Sequence, residues 1–329
     1  MTSDSEEFAR VTESLRPELL AHCYRMLGSV HDAEDQVQET LVRAWRSYGD
    51  FEGRASLRTW LYRIATNACL RALENRERRP LPSGLGAPEA SVETDTPGEG
   101  SATAWLQPIP DALVTPDTDD PAVTVTSRAS LRLALIAALQ YLPPRQRTVL
   151  LLRDVLGWRA AEVADLLGTT SAAVNSTLQR ARARLHDVSL TEEVVQEPTE
   201  TEQRALLERY AAAFEQADIA GLMELLSADV VFEMPPQPGW FAGRDAVLNF
   251  LGSRVLREPD RFRMLPTLAN GQPALVGYQR EPDGHYHAHT VQVLTVVGSS
   301  ITHVISFNDP ALVATFGFPS DLPLSAEPR

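Results

Sequence analysis

The stretch "GWRAAEVADLLGTTSAAVNSTLQRARARL", residues 157–185, has the pattern of two helices joined by a tight turn. Apolar residues recur at helical spacing in Ala160–Leu167, Gly168 suits a left-handed backbone, and Ser171 can cap a second helix. That second helix carries short polar side chains first and arginines last, which is the order that a DNA recognition helix needs. A plain helical hairpin is the alternative, and it leaves the agreement of turn, spacing and charge unexplained. The predicted DNA-facing residues are Thr170, Ser171, Asn175, Ser176, Gln179, Arg180 and Arg182, with Arg182 and Arg184 nearer to phosphate or to the domain's own core.

An acidic helix is predicted from "HDAEDQVQETLVRAW", residues 31–45. Asp35, Gln38 and Glu39 share one face of it, and the apolar residues lie mostly on the other. An acidic, amide-bearing face suits a basic protein partner better than DNA, although such faces are often only solvated.

The following segment, "FEGRASLRTWLYRIATNACLRALENRERR" (residues 51–79), is basic and contains aromatic residues. Arginines interleaved with aromatic rings suit DNA with unstacked bases, since a ring can hold an exposed base. Core packing is the alternative for Trp60, and a solvated face is the alternative for the arginines. The predicted DNA-binding set is Arg54, Arg58, Trp60, Tyr62, Asn67, Arg71, Arg76, Arg78 and Arg79.

The net charge of −14 over 329 residues conceals an uneven distribution. Residues 142–186 carry 7 arginines against 3 acidic residues, whereas residues 187–329 carry 9 arginines against 20 acidic residues. A DNA-binding role is therefore compatible with an acidic chain, because the basic patches are local. The two cysteines, Cys23 and Cys69, are too few for a disulfide framework and lack metal-ligand spacing. With no long apolar run and no secretory signal, the sequence predicts a cytoplasmic protein with reduced thiols and no membrane association.

Composition divides the chain into helical, linker and α+β parts. Residues 80–121 are rich in Pro, Gly, Ser and acidic residues, apart from "WLQPIPD" at residues 105–111. Two prolines and a tryptophan in a formless stretch favour a docked segment, with Trp105, Leu106, Pro108 and Pro110 as its anchors. After a second linker, one long helix is predicted over residues 202–226, followed by strands at 229–234, 273–280, 285–298 and 300–307.

These motifs, in this order, resemble the two domains of an extracytoplasmic-function (ECF) sigma factor, the promoter-recognition subunit of bacterial RNA polymerase. "AEDQVQETLVRAW" is similar to the family's polymerase-clamp helix, whose D-x-x-Q-E pattern falls on Asp35, Gln38 and Glu39. The basic segment resembles the part that recognises and melts the minus-ten element, with a base-capturing loop at residues 48–58. "LPPRQRTVLLLRDVLGWRAAEVADLLGTTSAAVNSTLQRARARL" resembles the domain that reads the minus-thirty-five element.

The remainder resembles a SnoaL-like domain, a cone of helices against a curved sheet, through "LLERYAAAFEQADIAGLMELLSADVVFEMPP", "WFAGRDAVLNFL" and "ANGQPALVGY". The resemblance implies two all-α sigma domains (1–80 and 128–187), linkers at 81–127 and 188–199, an α+β regulatory domain (200–319) and a tail (320–329). It implies RNA polymerase core and promoter DNA as partners, no separate anti-sigma protein, and a C-terminal pocket able to hold a small ligand.

SnoaL-like domains also occur as small enzymes, so the resemblance leaves catalysis as an alternative. Glu233, His287, His289, His303 and Asp309 are acid/base candidates, and the alternating His285, His287 and His289 would share a strand face. No acid/base pair is specified, so we expect a sigma factor without catalysis, cofactor or metal. The alternatives are an isomerase- or cyclase-type enzyme tethered to a DNA-binding module, and a ligand-sensing helix-turn-helix repressor.

Overall fold

The N-terminal part of the chain, where apolar residues recur at helical spacing, is helical. The computed structural model describes residues 2–53, 55–74, 76–89, 103–115, 129–188 and 200–322. Helix α1 spans Thr2–Leu27, α2 spans Val30–Arg46 and α3 spans Leu57–Leu73. Gly28 has a positive φ of 69°, and the Ser29 hydroxyl accepts the Asp32 N–H at 3.2 Å, so α1 ends and α2 begins at this pair of residues.

Residues 111–188 supply the remaining helices of the first of two units, Met1–Arg79 with Asp111–Thr191. They are α4 (Asp111–Val114), α5 (Leu133–Gln140), α6 (Pro144–Leu150, continued by a π turn over Leu151–Val155), α7 (Ala160–Leu167) and α8 (Ser171–Val188). Helix α7 ends at Gly168, whose φ of 61° confirms the predicted left-handed turn. The predicted cap is wrong by one residue, because the Thr170 hydroxyl, and not that of Ser171, accepts the Ala173 N–H of α8.

The second unit contains a helix pair and a seven-stranded sheet. Helices α9 (Glu200–Glu215) and α10 (Ile219–Leu225) replace the single long helix predicted there. The helix ends because Ala217 adopts a φ of 54° and Asp218 caps α10 by accepting the Gly221 N–H at 2.9 Å. The rest of the unit follows as β1 (Leu226–Glu233), β2 (Trp240–Ala242), α11 (Arg244–Phe250, continued by a π turn over Leu251–Val255), β3 (Phe262–Ala269), β4 (Gln272–Arg280), β5 (Tyr286–Val297), β6 (Ser300–Phe307), α12 (Pro310–Thr315) and β7 (Asp321–Leu322).

The strand order is β2-β1-β6-β5-β4-β3, with β7 beside β5. All pairs are antiparallel except β1 with β6. The four predicted strands are confirmed, whereas β2, β3 and β7 were not predicted. One face of the sheet packs on the helices through a core that includes Phe214, Phe232, Leu275 and Val304.

The segment between the two sigma-like regions does not behave as a free linker. Its described residues up to Pro110 belong to the unit that holds the sheet, Pro80–Pro110 with Glu192–Arg329. From Asp111 the chain belongs to the first unit, where α4 packs on α1. The linker predicted over residues 81–127 therefore changes partner at Pro110–Asp111, and residues 116–128 lie outside the described residues.

Candidate functional site

The helix α8 presents the predicted recognition surface to solvent. Thr170, Ser171, Asn175, Ser176 and Gln179 are all exposed, while Val174 and Leu178 are buried between α8 and its neighbours. A row of exposed polar groups can donate to and accept from base edges in the major groove.

The arginines of α8 are held locally. Arg180 donates to the Ser176 carbonyl at 3.4 Å and to the Thr177 hydroxyl at 3.2 Å. Arg182 forms a two-point ion pair with Asp154, at 3.0 and 2.7 Å, that raises its pKa through the hydrogen bonds and charge of that carboxylate. The exposed Arg182 side chain therefore ties α8 to the π turn that follows α6.

On α2, the acidic and amide residues lie on the exposed side and the apolar residues on the buried side, as the sequence predicts. Asp35 and Gln38 are exposed, and Glu39 is partly exposed and bonded to Arg43 one turn later. The opposite residues Ala33, Val37 and Ala44 are fully buried. Val42 and Trp45 extend the exposed side of α2 with fractional exposures of 44% and 48%. The aromatic residue that ends the predicted acidic helix, Trp45, is therefore exposed beside the acidic row, and such an arrangement is typical of protein interfaces.

The loop before α3 borders an open pocket of about 320 Å³. Trp60 and Phe51 form one wall, with ring centroids 4.9 Å apart, and Asp50, Glu52 and Arg63 supply polar groups. An aromatic wall with polar neighbours is the chemistry that a single unstacked base requires. Arg54, which was also predicted to bind DNA, lies outside the described residues.

The predicted DNA-binding surface of α3 is only partly exposed, which is a correction to the sequence interpretation. Asn67 and Arg71 are exposed, but Tyr62 is only 2% exposed, near Glu18 and edge-on to His22. Burial is the main cause that raises the Tyr62 pKa. A ring in this position cannot stack on a DNA base in the structure as it stands.

The arginines around α3 contact other residues of the first unit. Arg58 donates to Glu18 at 2.7 Å, and Arg76 and Arg79 both bind the Asp32 carboxylate, Arg79 at 2.6 Å. Those two guanidinium groups hold the pKa of Asp32 below its usual value, although burial opposes them. The Arg78 guanidinium lies 4.5 Å from the ring centroid of Tyr141. Sequence reasoning missed these partners because they are 40 or more residues away along the chain.

The N-terminal helices and the helix-turn-helix pack directly on each other within the first unit. Arg63 pairs with Asp165 at 2.8 Å, and the Tyr62 and Trp158 rings lie edge-on at 6.5 Å. Arg25, itself buried, donates to the Ser130 hydroxyl at 2.7 Å. Contacts of this kind hold the two predicted DNA-binding surfaces in one fixed arrangement.

In the second unit, the Glu233 carboxylate is completely buried and accepts three hydrogen bonds. The Ser83 N–H donates to Oε2 at 2.8 Å, the Ser83 hydroxyl donates to Oε1 at 3.0 Å, and His303 Nε2 lies 2.7 Å from Oε1. Because Phe232 and Val304 face the helices and side chains alternate along strands, Glu233 and His303 lie on the other face of the sheet. Two acid/base candidates, Glu233 and His303, are thus brought together. Ser83, a residue of the predicted linker, donates two hydrogen bonds to the same carboxylate.

Two further contacts fasten residues 80–89 to strand β2. The Glu89 N–H donates to the Trp240 carbonyl at 2.8 Å, and Trp240 Nε1 donates to the Gly86 carbonyl at 3.1 Å. This segment therefore runs along the edge strand of the sheet and satisfies some of its backbone groups.

The "WLQPIPD" segment is fastened at the other end of the sheet, near Asn270. Ile109 is fully buried, its N–H donates to Asn270 Oδ1 at 3.0 Å, and its carbonyl accepts the Asn270 N–H at 3.0 Å. The four predicted anchors, Trp105, Leu106, Pro108 and Pro110, are all buried. Sequence reasoning missed Ile109, which makes the direct hydrogen bonds.

The three histidines at 285–289 do not share one strand face. Tyr278 pairs with Ala288 and Gly277 with Thr290, so a bulge at His289 interrupts the alternation. His287 lies between Asp283 and Asp321, which raise its pKa, whereas burial lowers the pKa of His289. Asp309 caps α12 through the Ala311 N–H at 3.0 Å.

Within the described residues, no group of three His, Cys, Asp or Glu side chains could hold a metal ion. Among the same residues, no helix is long and apolar enough to cross a membrane.

Comparison with known proteins gives three family matches in chain order. Sigma-70 region 2 matches residues 11–79, sigma-70 region 4 matches residues 132–185, and a SnoaL-like domain matches residues 207–304. Together they define a sigma factor with an added C-terminal domain.

The relatives agree with this class. The ECF RNA polymerase sigma factor SigG of Mycobacterium tuberculosis is 50% identical over 318 residues, which cover 96% of this chain and 85% of that protein. SigJ of the same organism is 30% identical over 252 residues, which cover 74% of this chain and 72% of SigJ. The chain belongs to the extracytoplasmic-function sigma factors and carries a SnoaL-like C-terminal domain. The crystal structure of SigJ has the same fold, with a TM-score of 0.61 at 24% identity over 96% of this chain and 99% of that one.

Proposed function

We propose that this sigma factor binds RNA polymerase core through α2, reads promoter DNA through α3 and α8, and is regulated by its own C-terminal domain. The observation that carries the proposal is the pair of exposed, chemically distinct faces in the first unit. One is acidic and contains Asp35 and Gln38, and the other is polar and contains Asn175 and Gln179. An acidic face suits a basic protein surface, and a row of short polar groups suits base edges.

Binding to a promoter requires the first unit to open. The minus-ten and minus-thirty-five elements are about 25 base pairs apart, which is roughly 85 Å at 3.4 Å per base pair. Tyr62 and Trp158 bring the two regions that would read them within 6.5 Å of each other. We therefore propose that the described arrangement is the free, inactive state, and that polymerase stabilises an open one by binding it more tightly.

Opening would also release the side chains now held inside the first unit. Breaking the Arg63–Asp165 pair and exposing Tyr62 would complete the aromatic and basic surface around the Trp60 pocket. Residues 48–58 are then the proposed minus-ten specificity loop, and α8 is the proposed minus-thirty-five reader.

The C-terminal domain would act through the linker rather than through a separate anti-sigma protein. Its sheet binds residues 80–89 and 103–110, the segment that leads directly into α4 of the first unit. Because the linker is hydrogen-bonded to this sheet, its path between the sigma domains depends on the C-terminal domain. Catalysis has less support, because the Glu233 and His303 pair is occupied by Ser83.

In-vitro transcription with purified core enzyme and the full chain tests both parts. Asn270→Gly keeps the left-handed backbone of Asn270 (φ 57°) and removes only the side chain that accepts from Ile109. Promoter output should change markedly, whereas the exposed control Asn249→Ala on α11 should behave as wild type. No transcription with any promoter would refute the sigma role, and wild-type output from Asn270→Gly would refute regulation through the linker.

A further inference from the structure

Five aromatic rings form a continuous chain in the first unit, from α1 to the pocket before α3. The Phe8 ring of α1 lies 5.3 Å from the Trp45 ring and 4.8 Å from the Tyr48 ring, centroid to centroid. Tyr48 lies 6.5 Å from Phe51, and Phe51 lies 4.9 Å from Trp60. At such separations aromatic rings attract each other. The pocket wall formed by Phe51 and Trp60 is therefore connected through ring contacts to α1.

The two middle rings of the chain belong to the loop between α2 and α3. Tyr48 begins a 3-10 turn, Tyr48–Asp50, and the Phe51 N–H donates to the Tyr48 carbonyl at 3.1 Å. Side chains three residues apart eclipse each other in such a turn, so the two rings lie nearly parallel, with 9° between their planes. Gly49 and Gly53 in the same loop have no side chain to pack. The rings therefore attach this part of the loop to α1 on one side and to α3 on the other.

Phe8 is the buried end of the chain. It is 7% exposed, whereas Tyr48, Phe51 and Trp60 are partly exposed. It is not one of the described residues that line the pocket, and it precedes residues 11–79, the part that matches sigma-70 region 2. A ring in a close-packed interior keeps one orientation, so Phe8 can support the rings that lean on it without itself reaching a DNA base.

We infer that Phe8 is a positioning residue for the minus-ten base, and that it acts through Tyr48 and Phe51 on the wall against which an unpaired base stacks. This role rests on the proposed function of residues 48–58 as the minus-ten specificity loop. A ring that is already held in place binds a base more tightly than a ring that must first be ordered. Without the Phe8 ring, Tyr48 loses its contact with α1 and Phe51 loses its support on that side. Affinity for the base then falls, although no group that touches the base has changed.

Binding of preformed holoenzyme, made from the full chain and core polymerase, tests this role. The probes are promoter duplexes that the wild-type holoenzyme selects from a random library, with abasic sites placed one at a time in the non-template strand of the minus-ten element. The wild type should lose affinity by about fivefold or more at one position, where the captured base is missing. If no abasic site weakens binding, the minus-ten pocket itself is refuted, and the role of Phe8 with it.

Phe8→Ala separates positioning from general packing. It should weaken binding to the intact promoter by about threefold to tenfold, the factor expected for one or two lost ring contacts. On the promoter that is abasic at the captured position it should bind as the wild type does, because no base is left to position. Phe8→Tyr keeps the ring and should match the wild type on both promoters. Val37→Ala removes a fully buried side chain of α2 outside the ring chain, and any loss should be equal on both.

Three results would overturn the positioning role. Equal weakening of the intact and the abasic promoter by Phe8→Ala would show that the ring only stabilises the fold. Wild-type affinity of Phe8→Ala for the intact promoter would show that the pocket does not depend on it. The same selective loss in Val37→Ala would show that any lost packing in this unit disturbs the pocket.

Discussion

Substituting Ser83 by alanine should release the linker segment from the sheet without disturbing the sheet itself. The Ser83 hydroxyl donates at 3.0 Å to Glu233, a carboxylate with no solvent exposure. A hydrogen bond to a charged group contributes about 1.5–3 kcal/mol. Ser83 is exposed and its hydroxyl can bond to water once released, so the lower end, about 1.5 kcal/mol, is the better estimate.

A loss of about 1.5 kcal/mol corresponds to roughly tenfold more frequent opening of this segment. The Glu89 amide reports that opening, because it donates to the Trp240 carbonyl at 2.8 Å and is itself not altered. Native-state hydrogen exchange should therefore show the Glu89 amide exchanging about tenfold faster in Ser83→Ala. Amides of the central strand β4 should keep their wild-type rates.

Two further variants serve as a control and as a test of the hydrogen-bond acceptor. Ser253→Ala removes an exposed serine hydroxyl that bonds only to backbone carbonyls of its own helix, and it should leave Glu89 unchanged. Glu233→Ala should accelerate Glu89 exchange more than Ser83→Ala, because it removes the acceptor of three hydrogen bonds. Wild-type Glu89 exchange in Ser83→Ala would refute the argument that this carboxylate holds the linker.

Three other predictions concern separate surfaces. Asp35→Arg combined with Gln38→Ala should abolish co-purification with core polymerase while helicity by circular dichroism stays unchanged, since both side chains are exposed; retained binding would exclude α2 as the contact. Gln179→Ala should alter promoter preference by about 1–3 kcal/mol of discrimination, whereas Arg182→Ala should only loosen the Asp154 pair. Equal effects of both variants on matched and scrambled promoters, measured by DNA binding, would contradict that division. The pKa of His287 is raised by Asp283 and Asp321, so the stabilisation of the β5–β7 contact is complete below the unfolded pKa of 6.5 and is lost as pH rises through the higher folded pKa. The Leu322 amide resonance should follow that titration in the wild type and stay constant in His287→Gln.

The sequence by itself determined the elements whose cause is local. Helix α7, the left-handed Gly168 and the exposed face of α8 follow from apolar spacing, a residue without Cβ and a run of short polar side chains. The acidic face of α2 and four strands of the sheet follow from periodicity in the same way. Three family motifs in order were enough to indicate a sigma factor, because those motifs lie within single helices or hairpins.

Tertiary structure alone decided which of the candidate groups are accessible. The sequence predicts that the arginines after α3 bind DNA. In the structure, two of them, Arg76 and Arg79, form ion pairs with Asp32, which is more than 40 residues away along the chain. Tyr62 carried the pattern of a stacking residue and lies buried near Trp158. The linker had no periodicity because its order comes from a sheet more than 100 residues away, through Glu233, Trp240 and Asn270. Composition records the tendency of a segment to fold alone, whereas burial and charge pairing depend on which distant surface it meets.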